Sequence, residues 1–286
     1  MINDDDLKKL QKVELIAMLE FKRICDKYGL KYTLEGGTLL GAVRHKGFIP
    51  WDDDVDIRML REDYDKFIEV SKSELRPLFF LQTPDTDECY ANPYMKIRVN
   101  GTEYRQKGLE KCNIHHGIWI DIFPCDVAPI RKFSRKIHNY MLKYLKICLN
   151  YKLRFWPPTT KVRECIVFIL TFPSFFSSPK KLKSIISSEM QKYNNTPSDL
   201  IAVTGSYGNY EKRIQTKEEY SSHTQLIFED YSFSVIKEYI KMLELEYGDY
   251  MTLPPEEERI CHGMGYLNLG IFADPDVING ELAYYL

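Results

Sequence analysis

Gly36-Gly37-Thr38-Leu39-Leu40-Gly41-Ala42-Val43-Arg44-His45-Lys46-Gly47-Phe48-Ile49-Pro50-Trp51-Asp52-Asp53-Asp54-Val55-Asp56-Ile57 joins a glycine pair to four aspartates packed within five residues. Repulsion among so many carboxylates is costly unless something positive sits between them. Hard oxygen donors select Mg2+ or Mn2+ over zinc. Glycines that admit a phosphate to the backbone, followed by such aspartates, suit chemistry on a nucleotide. An aspartate-rich stretch is ordinarily a solvated loop or helix cap. This one follows a glycine pair and adjoins an alternating, strand-like run over residues 54–59. A calcium loop of EF-hand type lacks its internal glycine and terminal glutamate here.

Strand geometry sorts the carboxylates. Side chains alternate faces, so a strand over 54–59 sends Asp54 and Asp56 one way and Val55 and Ile57 into the core. Asp53 has the opposite parity and reads as a supporter, and the direction of Asp52 stays open. In Ile118-Trp119-Ile120-Asp121-Ile122-Phe123 the same test isolates Asp121 between two aromatics. A lone buried carboxylate needs a partner or a metal, and the Asp54/Asp56 cation is the natural one. Lys96 and Arg98 share one face of Tyr94-Met95-Lys96-Ile97-Arg98, and Arg44 and Lys46 are the other nearby cations, all suited to phosphate. For each, a surface or ion-pairing role is the competing reading. His115 and His116 could assist proton transfer, although such a pair is more often structural.

Outward from this centre, residues 6–28 read as an amphipathic helix stopped by Gly29, followed by a short strand at 31–34. Thr38 opens a short helix running to about Arg44. A helix over 61–74 with Tyr64, Phe67, Ile68 and Val70 buried comes next, then strands at 78–82, 94–99 and 117–123, the last closed by Pro124. This is a mixed α/β (α+β) core. From Arg131 the chain turns basic and helical, broken at Trp156-Pro157-Pro158 and Phe172-Pro173. The organisation expected is a catalytic core over 1–130, a basic helical insertion over 131–217 that is membrane-facing and acceptor-binding, and a C-terminal part over 218–286 that completes the core.

Composition excludes wholesale disorder, with 44% hydrophobic and 28% charged residues. The start, Met1-Ile2-Asn3-Asp4-Asp5-Asp6, lacks the basic and apolar regions of a secretory signal. Seven cysteines without a Cys-x-x-Cys pair read as reduced cytosolic thiols. Cys112, His115, His116 and Cys125 match no standard zinc framework. The net charge of −2 hides an asymmetry: residues 131–183 hold 13 Lys or Arg against Glu164 alone, leaving −14 elsewhere. Such a block calls for an anionic partner. Its apolar run 165–172 is too short to span a bilayer; it reads either as an interfacial segment or as a core helix with a basic outer face.

These residues resemble the LicD family, bacterial phosphocholine transferases related to fukutin and fukutin-related protein. The resemblance lies in Gly36-Gly37-Thr38-Leu39-Leu40-Gly41, the run from Arg44 to Ile57, Lys96-Ile97-Arg98, Trp119-Ile120-Asp121-Ile122-Phe123-Pro124 and Tyr247-Gly248-Asp249-Tyr250-Met251-Thr252-Leu253-Pro254-Pro255. It frames residues 30 to 262. It implies a nucleotidyltransferase-like fold, a small mixed sheet flanked by helices. It implies metal binding and catalysis by Asp54, Asp56 and Asp121, with Mg2+ or Mn2+, and Asp121 or a neighbouring base deprotonating the acceptor. Donor binding by Gly36, Gly37, Thr38 and Arg44 is implied likewise, alongside the cations Lys96 and Arg98.

The expected activity is transfer of phosphocholine from CDP-choline to a hydroxyl of a cell-surface glycan or its lipid-linked precursor. Cationic choline would suit an aromatic cage. The expected location is cytoplasmic, peripheral on the inner face of an anionic membrane. Alternatives are a CDP-linked donor carrying ribitol phosphate or glycerol phosphate, a nucleic-acid nucleotidyltransferase, and a metal-free binding module. Nucleic acid is disfavoured because no RNA-binding motif accompanies the basic block.

Overall fold

The computed structural model describes residues 3–155, 160–206, 208, 210–261 and 264–286. Met1-Ile2, the Trp156-Pro157-Pro158 break and position 262 lie outside the described residues. The chain runs α1 (Asp4–Tyr28), β1 (Thr33–Leu34), α2 (Gly36–Arg44), β2 (Asp56–Leu60), α3 (Arg61–Glu74), β3 (Phe79–Gln82), β4 (Met95–Val99), β5 (Glu103–Gln106) and β6 (Trp119–Val127). Three helices follow, α4 (Lys132–Lys152), α5 (Lys161–Thr171) and α6 (Pro179–Met190). The remainder is β7 (Leu200–Val203), β8 (Gln215–Thr216), α7 (Lys217–Ser221), β9 (His223–Phe228), β10 (Tyr231–Ile236), α8 (Tyr239–Tyr247), β11 (Met264–Asn268) and α9 (Pro275–Ala283).

The main sheet has the order β1-β2-β6-β4-β3, with β7 also on β6 and β8 on β7. β2 runs parallel to β6, while β4 and β7 pair with it antiparallel, so this is the small mixed sheet expected. β6 is its spine. Sequence reading closed this strand at Pro124, yet it continues to Val127. The reason is a change of partner: β4 pairs with β6 as far as Ile122, and β7 takes over from Cys125. Pro124 falls between the two, where a missing N–H breaks neither antiparallel ladder.

The Asn3 side chain caps α1 by accepting from the Asp6 N–H at 2.8 Å. Gly29, at φ +65°, ends it in the left-handed conformation that favours glycine. Expected to be one-sided, the helix is instead buried all round over residues 13–21. It packs against β4 and β6, and also against α3 and α9. Buried Glu20 fixes that last contact by accepting from the Tyr285 hydroxyl at 3.0 Å and from the Arg76 N–H at 3.0 Å. Arg76 in turn pairs with Glu281 of α9 at 2.8 Å. α3 matches its expected span, with Tyr64, Phe67 and Val70 buried.

α4 packs on α6 through Leu142, Leu149, Leu182, Ile186 and Met190. The apolar run in α5 is not core: Ile169 is 70% exposed and Leu170 58%. Among the described residues no helix is long and apolar enough to cross a membrane. All seven cysteines are free thiols. Cys125 is buried in β6, while His116 donates from Nε2 to the Cys112 carbonyl at 2.8 Å, so these groups serve packing and local bonding.

Candidate active site

The glycine pair makes room for carboxylates. Gly36 opens α2 at φ +54°, and a Cβ there would lie 3.1 Å from Asp56 Oδ2. A Cβ on Gly37 would lie 2.6 Å from Asp52 Oδ2. Both aspartates therefore abut the first turn of α2, where unpaired N–H groups and the helix dipole favour negative charge. Backbone bonds hold them there. The Asp56 N–H donates to Thr38 Oγ1 at 2.9 Å, and the Glu35 N–H donates to the Asp56 carbonyl at 3.0 Å.

Strand register then builds a row. Asp56 stands opposite Asp121 in the parallel β2/β6 pair, and Lys96 stands opposite Asp121 in the antiparallel β4/β6 pair. The Lys96 ammonium donates to Asp121 Oδ1. Burial pulls the Lys96 pKa down to about 8, against the pull of the Asp121 carboxylate in the other direction. Lys96 also lies 4.4 Å from the centroid of the Trp119 ring, and Arg98 4.7 Å. Arg98 is committed elsewhere: Nε donates to Gln82 Oε1 at 2.8 Å and Nη1 to the Gly117 carbonyl at 2.7 Å.

Asp54 was expected inside β2, but the strand begins at Asp56, so the 52–54 segment is loop. Gln11 of α1 anchors this loop, Nε2 donating to the Asp52 carbonyl at 2.9 Å and the Ile49 carbonyl at 3.2 Å. Asp53 is 1% exposed and accepts from the Tyr104 hydroxyl. Beneath the loop lies Glu14 of α1, fully buried, its carboxylate oxygens without a hydrogen-bond partner among the described residues. Burial first, then Asp54, Asp53, Asp52 and Asp121, push its pKa well above the usual carboxylate range. Burial followed by Asp54 and Asp121 does the same to Asp56, partly offset by Arg213.

This surplus of buried negative charge, carried by hard oxygen donors, fits a divalent cation in sign and ligand type. Among the described residues no group of three or more His, Cys, Asp or Glu side chains is drawn together as a finished ligand set. One Asp121 oxygen faces the Lys96 ammonium.

Arg213, Glu35, Arg58 and Glu246 escaped sequence reading, whereas Arg44 and the 247–255 motif did not. Arg213 donates to Glu246 at 2.6 Å, and its Nε lies 3.6 Å from buried Glu35, which pairs with Arg58 at 2.9 Å. Tyr247 brings its hydroxyl to 3.8 Å from the Gly36 Cβ position, and Arg44 donates to the Tyr250 carbonyl at 2.9 Å. The C-terminal motif thereby forms a wall beside α2. The histidines stand apart. His115 stacks on Phe80, accepts from the Gly117 N–H at Nδ1 and donates from Nε2 to Asn100, and burial lowers its pKa to about 4. It is a neutral structural group at physiological pH.

Against known proteins, the family described as "LicD/FKTN/FKRP, nucleotidyltransferase domain" matches residues 29–144. The chain is 34% identical over 262 residues to the lipopolysaccharide cholinephosphotransferase LicD of Haemophilus influenzae, a match covering 90% of this chain and 95% of that one. It is 44% identical over 62 residues to an uncharacterized protein of Rickettsia prowazekii, covering 22% and 21%. The human ribitol 5-phosphate transferase FKRP is 52% identical over 40 residues, 14% of this chain and 8% of that protein.

Proposed function

We propose, from the premise that this chain belongs to the LicD family and is a phosphotransferase of nucleotidyltransferase-like fold, that it moves phosphocholine from CDP-choline to a glycan hydroxyl. The acceptor is a cell-surface glycan or its lipid-linked precursor. The observation that carries the chemistry is the row Asp56–Asp121–Lys96 at the foot of the α2 N-terminus. Phosphocholine is preferred over ribitol phosphate because the cholinephosphotransferase matches 90% of this chain, against 14% for the ribitol 5-phosphate transferase.

Asp54, Asp56 and Asp121 are the residues that would hold Mg2+ or Mn2+, whose charge offsets that of a diphosphate when bound. Gly36, Gly37 and Thr38 present the α2 N-terminus to the donor phosphates. Lys96 adds a point charge, and Arg44 and Arg98 act at longer range by fixing the C-terminal wall and the Lys96 strand. The acceptor oxygen attacks the phosphorus that bears choline, the bond to the CMP oxygen breaks, and the hydroxyl proton passes to Asp121 or a neighbouring base. Calorimetric titration of CDP-choline and CDP-ribitol, with and without Mg2+, tests this reading. Mg2+-dependent binding of CDP-choline is the expected result; preference for CDP-ribitol would move the enzyme to alditol-phosphate transfer.

A further inference from the structure

α4 carries two apolar faces. One, with Leu142 and Leu149, is buried against α6. The other faces water: Phe133, Ile137, Tyr140 and Tyr144 recur at helical spacing, with Phe133 75% exposed and Tyr140 70%. α5 extends this second face with Ile166, Ile169 and Leu170, and the 3-10 turn Phe172–Phe176 extends it further, ending in Phe176 at 84% exposure. The pieces are tied together. The Tyr144 hydroxyl donates to the Leu170 carbonyl at 3.2 Å, and Lys152 donates to the Ser174 and Phe175 carbonyls at 3.2 and 3.1 Å. At roughly 200 Å² per large side chain, about half exposed, the surface is on the order of 1,000 Å². A protein in water rarely leaves a patch beyond a few hundred Å² uncovered.

Charge decides what covers it. The face lies in the segment with 13 Lys or Arg against Glu164 alone, whereas the rest of the chain nets −14. Arg135 is spent on Glu211, and Lys146 is buried. Arg131, Lys132, Lys136, Lys180 and Lys181 are exposed, with no carboxylate within ion-pair distance among the described residues. A second copy of the chain would set this basic face against its own like charge, because a two-fold interface repeats the same surface. Aliphatic and aromatic side chains rimmed by lysine match an anionic bilayer surface, where apolar groups reach the acyl boundary and ammonium groups meet phosphates.

We propose that the exposed face of α4, α5 and the 172–176 turn docks this protein on anionic membrane, lying on the bilayer and not crossing it. The inference is independent of which group the active site transfers.

The test floats the full chain with vesicles of equimolar phosphatidylcholine and phosphatidylglycerol, or of phosphatidylcholine alone, at low and high salt. Wild type floats with the anionic vesicles at low salt and much less with neutral ones. Ile169→Ser/Phe176→Ser lowers partitioning on the order of tenfold or more. Lys136→Ala lowers it about fivefold. Neither change alters the melting temperature or CDP-choline binding, since none of these residues touches the carboxylate row. Wild type left at the bottom with anionic vesicles at low salt would overturn the proposal. So would a dimer by light scattering that Ile169→Ser/Phe176→Ser dissolves, which would give the face to a second copy.

Discussion

Replacing Gly37 by alanine separates the active site from the fold. The position lies in the first turn of α2 with an ordinary negative φ, so backbone strain does not arise. Alanine is a better helix former than glycine by about 1 kcal/mol in a helix interior, and by less near an end. The new methyl would meet Asp52 Oδ2 at 2.6 Å, where ordinary contact begins at 3.4 Å, so the carboxylate must withdraw by ~0.8 Å. The obstacle is the far end of a side chain, which can rotate away. Gly37→Ala should therefore melt within a few degrees of wild type.

Asp52 abuts the same α2 turn as Asp56, and misplacing groups at that turn by about 1 Å costs on the order of 100-fold in rate. CMP release from CDP-choline in the presence of acceptor, read beside thermal unfolding, measures both quantities. Gly41→Ala is the contrast: its methyl would lie 2.4 Å from the Gly47 carbonyl oxygen, a backbone atom that cannot rotate away. That variant should lose about 1–3 kcal/mol of stability as well as activity. Wild-type turnover in Gly37→Ala would refute the reading that the first turn of α2, which Asp52 abuts, belongs to the working site. A large loss of stability there would refute the claim that only a side chain yields.

Asp56→Asn should abolish transfer and melt no lower than wild type, since it removes a charge that burial, Asp54 and Asp121 already oppose; turnover retained at saturating Mg2+ would count against the site. Lys146 offers a pH readout remote from the chemistry. Burial lowers its pKa from 10.5 to about 7, so between those values the unfolded chain binds the extra proton and stability rises with pH. Lys146→Met should remove a slope of up to about 1.4 kcal/mol per pH unit from denaturant unfolding across that window. A parallel pH profile for the two proteins would show that the folded state keeps this ammonium charged.

Elements set by local pattern were legible in the sequence, and groups set by register or distant chain were legible only in part. The 61–74 helix has clear periodicity, and its span is reproduced by α3. Alternation brought Asp56 and Asp121 to one side of their strands, and the ladder places them opposite one another. The ion pair between Lys96 and Asp121 needs the antiparallel register of β4, which alternation does not supply. Glu14 did carry a signal: it occupies a core position in the series Leu7, Leu10, Glu14, Ala17, Phe21, Ile24. A carboxylate there points at a buried function. Arg213 had no comparable mark, because only folding brings it beside Asp56, more than 150 residues earlier in the chain. Tyr247 was marked only as part of the 247–255 motif, and folding alone sets it beside Gly36.

The burial of α1 against α9 has a consequence for how the protein is made. Residues 4–28 leave the ribosome well before the helix that covers one of their flanks, which is translated about 250 residues later. At roughly 5–20 residues per second, that flank waits on the order of 12–50 s for its partner. A nascent chain in this interval displays an apolar helix with Glu20 lacking its Tyr285 donor, a form suited to capture by chaperones. Emergence of α9, rather than of the active-site segment, is then the event that covers α1.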